Sequence, residues 1–117
     1  MKSYQGGCQC GSVRFEAELD LSKEILTCNC SICEKHGLCL LFIPDSTFKL
    51  TKGEENITPY LFNKMHITHN FCKTCGVETH GSGKGHDGEG MVAVNVRTVD
   101  GINLKELTFK EFDGKGM

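Results

Sequence analysis

Phe71-Cys72-Lys73-Thr74-Cys75-Gly76 is the stretch on which the reading of this chain turns. A Cys-x-x-Cys followed at once by Gly is a metal knuckle. The tight turn aims two sulfurs at one point, and glycine supplies the positive-φ backbone that a Cβ would oppose. Amide N–H groups in such a turn can face the thiolates and soften their charge. Two sulfurs do not close a tetrahedral site, so the missing pair must come from elsewhere. Cys8-Gln9-Cys10 offers one pair; in an extended segment its sulfurs would share a face, because side chains alternate. Cys28-Asn29-Cys30-Ser31-Ile32-Cys33 holds three more, and Cys39 stands alone in Leu38-Cys39-Leu40-Leu41-Phe42-Ile43.

The central triplet already suffices for a three-ligand site with an open fourth position, the arrangement of a reactive zinc; a structural zinc is closed by four. Leaving the triplet whole pairs Cys8 and Cys10 with Cys72 and Cys75, tying the N-terminus to a segment roughly sixty residues later. Structural zinc contributes on the order of 10–16 kcal/mol to folding in small peptides, which rivals the stability of a whole domain. The spacing therefore predicts two Zn2+ ions per chain: a structural one on Cys8, Cys10, Cys72 and Cys75, and an open one on Cys28, Cys30 and Cys33. Three other arrangements stay open on spacing alone. Cys39 or a histidine could close the central site, one zinc could coexist with redox thiols, or the cysteines could form disulfides. Thiolates select zinc over magnesium or calcium, with iron as the remaining all-sulfur choice.

Composition frames this reading. With 117 residues, 38% hydrophobic and 24% charged, the chain fits one domain over 1–117. Aromatics make up 8%, with no Trp, so the core is thin and the eight cysteines become a source of stability through metal. Met1-Lys2-Ser3-Tyr4 is followed by no apolar stretch, which predicts a cytoplasmic protein whose thiols stay reduced and available to metals. The longest apolar run falls far short of the ~20 residues of a membrane span. Thirteen Lys+Arg against fifteen Asp+Glu give a charge of −2 without a basic block, which argues against a nucleic-acid partner held by phosphate neutralisation.

The rest of the chain predicts a mainly β domain with few or no helices. Val13, Phe15, Ala17 and Leu19 alternate with polar residues as a half-buried strand does. Further strands are expected over 24–28, over 37–43 (ended by Pro44, with Cys39 as a core residue), at Phe48 and Leu50, over 57–63, over 66–71 and over 91–99. Residues 53–56 read as a turn, Asp100-Gly101 as a hairpin turn, and 103–112 as a strand or short helix. Residues 81–90 hold Gly83-x-Gly85-x-x-Gly88. No helix is expected after it, so it reads as a loop able to cover the open metal site rather than a dinucleotide fingerprint. His36, His69 and His80 lie near the proposed ligands in sequence and read as surface or hydrogen-bonded core imidazoles. Spacing names no acid–base residue.

Gly6-Gly7-Cys8-Gln9-Cys10-Gly11-Ser12-Val13-Arg14-Phe15, the triplet Cys28-Asn29-Cys30-Ser31-Ile32-Cys33, Phe48-Lys49-Leu50 with Gly53, the knuckle at 71–76 and Glu111-Phe112-Asp113-Gly114 together resemble the glutathione-dependent formaldehyde-activating enzymes, a family that includes centromere protein V. The likeness spans nearly the whole chain, though Met117 ends it where the family usually carries an aromatic. The resemblance implies a small zinc fold of layered β-sheets (β-tent-like), with structural zinc on Cys8, Cys10, Cys72 and Cys75. It implies catalytic zinc on Cys28, Cys30 and Cys33, and a carbon–sulfur lyase that interconverts S-(hydroxymethyl)glutathione with glutathione and formaldehyde. The expected partner is a small thiol such as glutathione. Two rivals remain at this level: a non-enzymatic zinc-stabilised scaffold or protein-interaction module, and a thiol-based redox or metal-trafficking protein.

Overall fold

A computed structural model describes residues 2–28, 31–62, 67–84 and 89–112. Strand β1 (Lys2–Gly7) pairs antiparallel with β2 (Arg14–Leu19), which pairs in turn with β5 (Phe48–Lys52) to make a three-stranded sheet. The second sheet has seven strands in the order β10-β3-β4-β9-β8-β7-β6. They are β3 (Ile25–Cys28), β4 (Leu40–Pro44), β6 (Ile57–Phe62), β7 (Ile67–Cys72), β8 (Glu78–Lys84), β9 (Gly90–Asn95) and β10 (Phe109–Phe112). All its neighbours run antiparallel except β10, which lies parallel to β3. One α-helix, α1 (Ser31–His36), follows β3. The mainly β expectation holds.

The alternation foreseen in β2 is what joins the sheets. Phe15, Ala17 and Leu19 are buried and meet Ile25, Leu41, Ile43, Val92 and Val94 of the larger sheet in one core. Phe48 stacks on Phe15 with ring centroids 5.2 Å apart. Strand β9 is buried on both faces. Val92 and Val94 enter that core, while Ala93 points the other way and packs with Cys33, Leu38 and Leu40. Helix α1 thus forms a third layer, across the large sheet from the small one. Cys39 lies in the main core, as expected of a small apolar residue.

Several expectations are corrected. The strand expected over 37–43 is observed as Leu40–Pro44, starting later because α1 precedes it and ends at Gly37, whose φ is +65°, and including Pro44. The strand expected over 91–99 stops at Asn95 and continues as a 3₁₀ turn, Val96–Thr98, capped by the Asn95 side chain. Asp100-Gly101 is a turn but not a hairpin: a 3₁₀ turn at Leu104–Glu106 follows, and β10 pairs with β3 rather than β9. Residues 81–84 belong to strand β8, held by β7 and β9 on its two sides, and are not a loop. Gly85 and Gly88 of the glycine motif lie outside the described residues. Strand β1 had no sequence signal.

Candidate metal centre

Two reverse turns built on one pattern carry four cysteines. In the first, the Cys8 N–H donates to the Val13 carbonyl (3.1 Å), and Gly11 turns the chain with φ +82°. In the second, the Cys72 N–H donates to the Val77 carbonyl (3.0 Å). The Gly76 N–H returns to the Cys72 carbonyl (2.9 Å), with φ +80° at Gly76, the conformation expected there. The Cys8-Gln9-Cys10 pair is therefore not extended. The β1–β2 register pairs Gly7 with Arg14, so residues 8–13 must reverse direction between them.

The turns bring Cys8, Cys10, Cys72 and Cys75 together, with all four sulfurs within 4.8 Å of one another. Cys8–Cys10 and Cys10–Cys72 are each 3.7 Å apart, Sγ to Sγ. A tetrahedron with metal–sulfur bonds near 2.3 Å has edges of about 3.8 Å. The set therefore fits a tetrahedral metal ion, and it spans the two sheets, one turn leaving β1 and the other leaving β7.

The backbone already supplies what four thiolates need. N–H groups of Thr74 (3.3 Å) and Cys75 (3.4 Å) and the Asn56 side-chain amide (3.5 Å) donate to Cys72 Sγ. The Ser12 hydroxyl and then its N–H hold the Cys10 thiol down to about 6, so Cys10 is largely a thiolate at neutral pH. Burial pushes Cys8 up, against the Val13 N–H that donates to it at 3.3 Å. Burial also acts on Cys75, but there the Val77 and Cys10 N–H groups prevail and the thiol is lowered. Val13, Leu50, Ile57 and Val77 pack around Cys8 and Cys72.

A bracket that spacing did not suggest connects the turns. At Gly53, with φ +82°, a Cβ would lie 1.9 Å from the Ser12 carbonyl oxygen, so only glycine allows this approach to the first turn. Three residues on, the Asn56 carbonyl accepts from the Lys73 N–H (2.9 Å) and its amide donates to Thr74 Oγ1 (3.1 Å) in the second. The turn at 53–56 was legible; its contact with both cysteine turns was not.

The second cysteine region is built differently. Cys28 ends β3 and Cys33 is buried within α1, and both join the apolar cluster of Leu38, Leu40 and Ala93. Cys30 lies outside the described residues. Cys28 and Cys33 line a cavity of about 350 Å³ with Glu34, Arg97 and Glu111, where Arg97 Nε donates to the Gly37 carbonyl (3.0 Å). A second cavity, of about 360 Å³, is lined by Ser31, Ile32, Lys35 and His36 of α1 together with Tyr60 and Phe71. Cys39 approaches the Gly37 carbonyl at 3.9 Å and is not among the four clustered thiols.

Beside α1 sits a group the sequence did not disclose. The Glu78 side chain is 1% exposed and carries one imidazole on each carboxylate oxygen: His36 Nδ1 at 3.0 Å and His69 Nδ1 at 2.9 Å. His80, next on the same strand, is also buried; burial lowers it to about 4 although Glu78 pulls the other way, so it is neutral at pH 7. Its Nδ1 lies 2.8 Å from Thr79 Oγ1. His69 and His80 are thus the hydrogen-bonded core imidazoles expected, while His36 reaches a cavity.

Among the described residues no helix is long and apolar enough to cross a membrane. A crystal structure of a Rhodobacter sphaeroides protein shares this fold with a TM-score of 0.77 and 32% identity, over 91% of this chain and 99% of that one. The family model for the glutathione-dependent formaldehyde-activating enzyme matches residues 3–111, which takes in both cysteine turns and the central triplet. The chain belongs to the glutathione-dependent formaldehyde-activating enzyme family.

Proposed function

We propose that this protein is a zinc-dependent carbon–sulfur lyase of the cytoplasm, working as one domain, that interconverts S-(hydroxymethyl)glutathione with glutathione and formaldehyde. The reading assigns two Zn2+ ions per chain. Cys8, Cys10, Cys72 and Cys75 hold the structural one; Cys28, Cys30 and Cys33 hold the catalytic one. The observation that carries it is the division of the cysteines: four thiols converge in a closed set, while Cys28 and Cys33 stand apart from it on a cavity wall. Family membership supplies the substrate class.

A zinc bound to the triplet would keep a substrate thiol ionised and stabilise it as a leaving group. Three thiolate donors soften the metal and favour a sulfur ligand over water. The protein's own part is to set Cys28 at a strand end and Cys33 on a short helix that Arg97 pins at its end, both on the wall of a cavity large enough for a small thiol adduct.

Exchange spectroscopy tests the reading directly. With equilibrated glutathione and 13C-formaldehyde, protein should accelerate exchange between free and glutathione-bound carbon. Unchanged exchange, together with no glutathione binding at millimolar concentration, would remove the named substrate.

A further inference from the structure

Glutathione carries charge at both ends of a small thiol. Its γ-glutamyl end holds an ammonium beside a carboxylate, whereas its glycyl end holds a carboxylate with no counter-charge of its own. A site that takes the sulfur must also place these groups, because contacts to remote parts of a substrate orient the reacting atoms. Three charged side chains share the wall of the cavity that Cys28 and Cys33 line: Glu34, Arg97 and Glu111. The other cavity on α1 holds Lys35 and His36 but neither of these cysteines. Among the described residues, Arg97 is thus the only basic side chain on the wall of the thiol cavity.

Arg97 is held from two directions. Its backbone belongs to the 3₁₀ turn Val96–Thr98, which the Asn95 side chain caps by accepting from the Arg97 N–H at 3.3 Å. Asn95 is itself buried; its amide donates to the Glu78 carbonyl at 2.9 Å, and its oxygen accepts from the Cys39 N–H at 3.4 Å. At the far end of the side chain, Nε donates to the Gly37 carbonyl at 3.0 Å. That carbonyl lies in the turn that closes α1, where the Gly37 N–H returns to the Glu34 carbonyl (3.3 Å) and the Leu38 N–H to the Cys33 carbonyl (3.1 Å). The guanidinium is therefore anchored to the end of the helix that carries Cys33. Among the described residues Nε alone of its nitrogens has a partner, so both Nη groups keep their donors for a ligand.

Resting on the lyase reading above, we propose that Arg97 binds the glycyl carboxylate of glutathione and so sets which thiols the site accepts. Glu34 and Glu111 repel a bare carboxylate and attract the ammonium of the γ-glutamyl end. The glycyl carboxylate then has one cation to meet in this cavity, and the Nη edge of a guanidinium matches a carboxylate in shape as well as charge. A thiol that lacks this carboxylate forfeits the contact and binds more weakly.

Calorimetry on the zinc-loaded protein with glutathione and its glycyl monoethyl ester tests the assignment, since the ester differs only at the carboxylate in question. The wild type should bind glutathione about tenfold more tightly than the ester, the effect of one charge-assisted contact at an exposed side chain. Arg97→Gln keeps a donor for the Gly37 carbonyl but removes the charge. It should retain the zinc content and melting temperature of the wild type and bind the two ligands within about twofold of each other. With the hydroxymethyl adduct as substrate, its KM should rise about tenfold while kcat changes far less. The wild-type preference should also shrink as sodium chloride is raised, a readout that needs no variant. Equal binding of glutathione and ester by the wild type, or a salt-independent preference, would overturn the role of Arg97 and leave the lyase reading standing. So would a variant that keeps the preference, since Arg97 would then only pin the helix. A wild type that binds no glutathione at millimolar concentration would remove the lyase reading and this role with it.

Discussion

The two cysteine regions are made by different means. Around Cys8, Cys10, Cys72 and Cys75 the backbone does most of the work. Two turns of matching hydrogen-bond pattern aim their sulfurs inward, N–H groups reach those sulfurs, and the bracket at Gly53 and Asn56 holds both turns. Around Cys28 and Cys33 the thiols hang on a strand end and a six-residue helix, packed on Ala93 and bordered by cavities. A metal in the first place would clamp the two sheets at one end of the sandwich. One in the second would sit where the chain leaves room for another molecule. Rigidity and access thus fall to separate parts of the fold.

Cysteine substitutions should separate the regions most sharply. Cys72→Ser removes a ligand from the clamp and should forfeit most of a contribution on the order of 10 kcal/mol. Circular dichroism should then show an unfolded or molten chain. Cys30→Ser should lose one zinc equivalent while the melting temperature falls by no more than about 5 °C. Unfolding of both variants would make the triplet a second clamp and favour a scaffold over an enzyme.

The core beneath the clamp comes next. Phe15 is fully buried between the sheets, so Phe15→Ala should cost about 3–5 kcal/mol in urea denaturation. Zinc stoichiometry of the molecules still folded should not change. A cost under about 1 kcal/mol would mean that the clamp alone sets stability.

His80 supplies a pH-dependent test. Its folded pKa, about 4, lies below the ordinary imidazole value of 6.5, so the unfolded chain takes up the proton first as pH falls. The stability associated with neutral His80 is present above pH 6.5 and is lost progressively down to pH 4. Relative to His80→Gln, the wild type should lose roughly 3 kcal/mol over that window. Measuring against the variant cancels the acid lability of the thiolates common to both. A constant difference from pH 7 to pH 4 would show that His80 is not buried as a neutral ring.

Asn56→Ala should have the smallest effect, about 1 kcal/mol, from loss of the amide bonds to Cys72 Sγ and Thr74. A chelator competition should show faster zinc release from the clamp alone. Faster release from the other region would contradict the bracket.

The sequence carried the clamp because its chemistry is local and punctuated: Cys-x-x-Cys with Gly76 specifies a turn whatever surrounds it, and alternation in β2 specifies a buried face. It could not carry β8. Gly81 and Gly83 favour no extended state of their own, and pairing on both sides by β7 and β9 imposes it. Helix α1 is too short to show a period. Strand β9 is covered on both faces, because α1 lies on the side that Ala93 presents. The Glu78 cluster was out of reach for another reason. His36 lies 42 residues from its partner, and no local pattern encodes a contact that exists only once α1 is laid across the sheet.

Zinc stoichiometry followed during chelation addresses the central division most directly. Purified protein should contain two equivalents per chain. A thiol-competitive chelator should withdraw one while the fold persists, and the second only as the chain unfolds. A single equivalent, or two released together, would contradict the account.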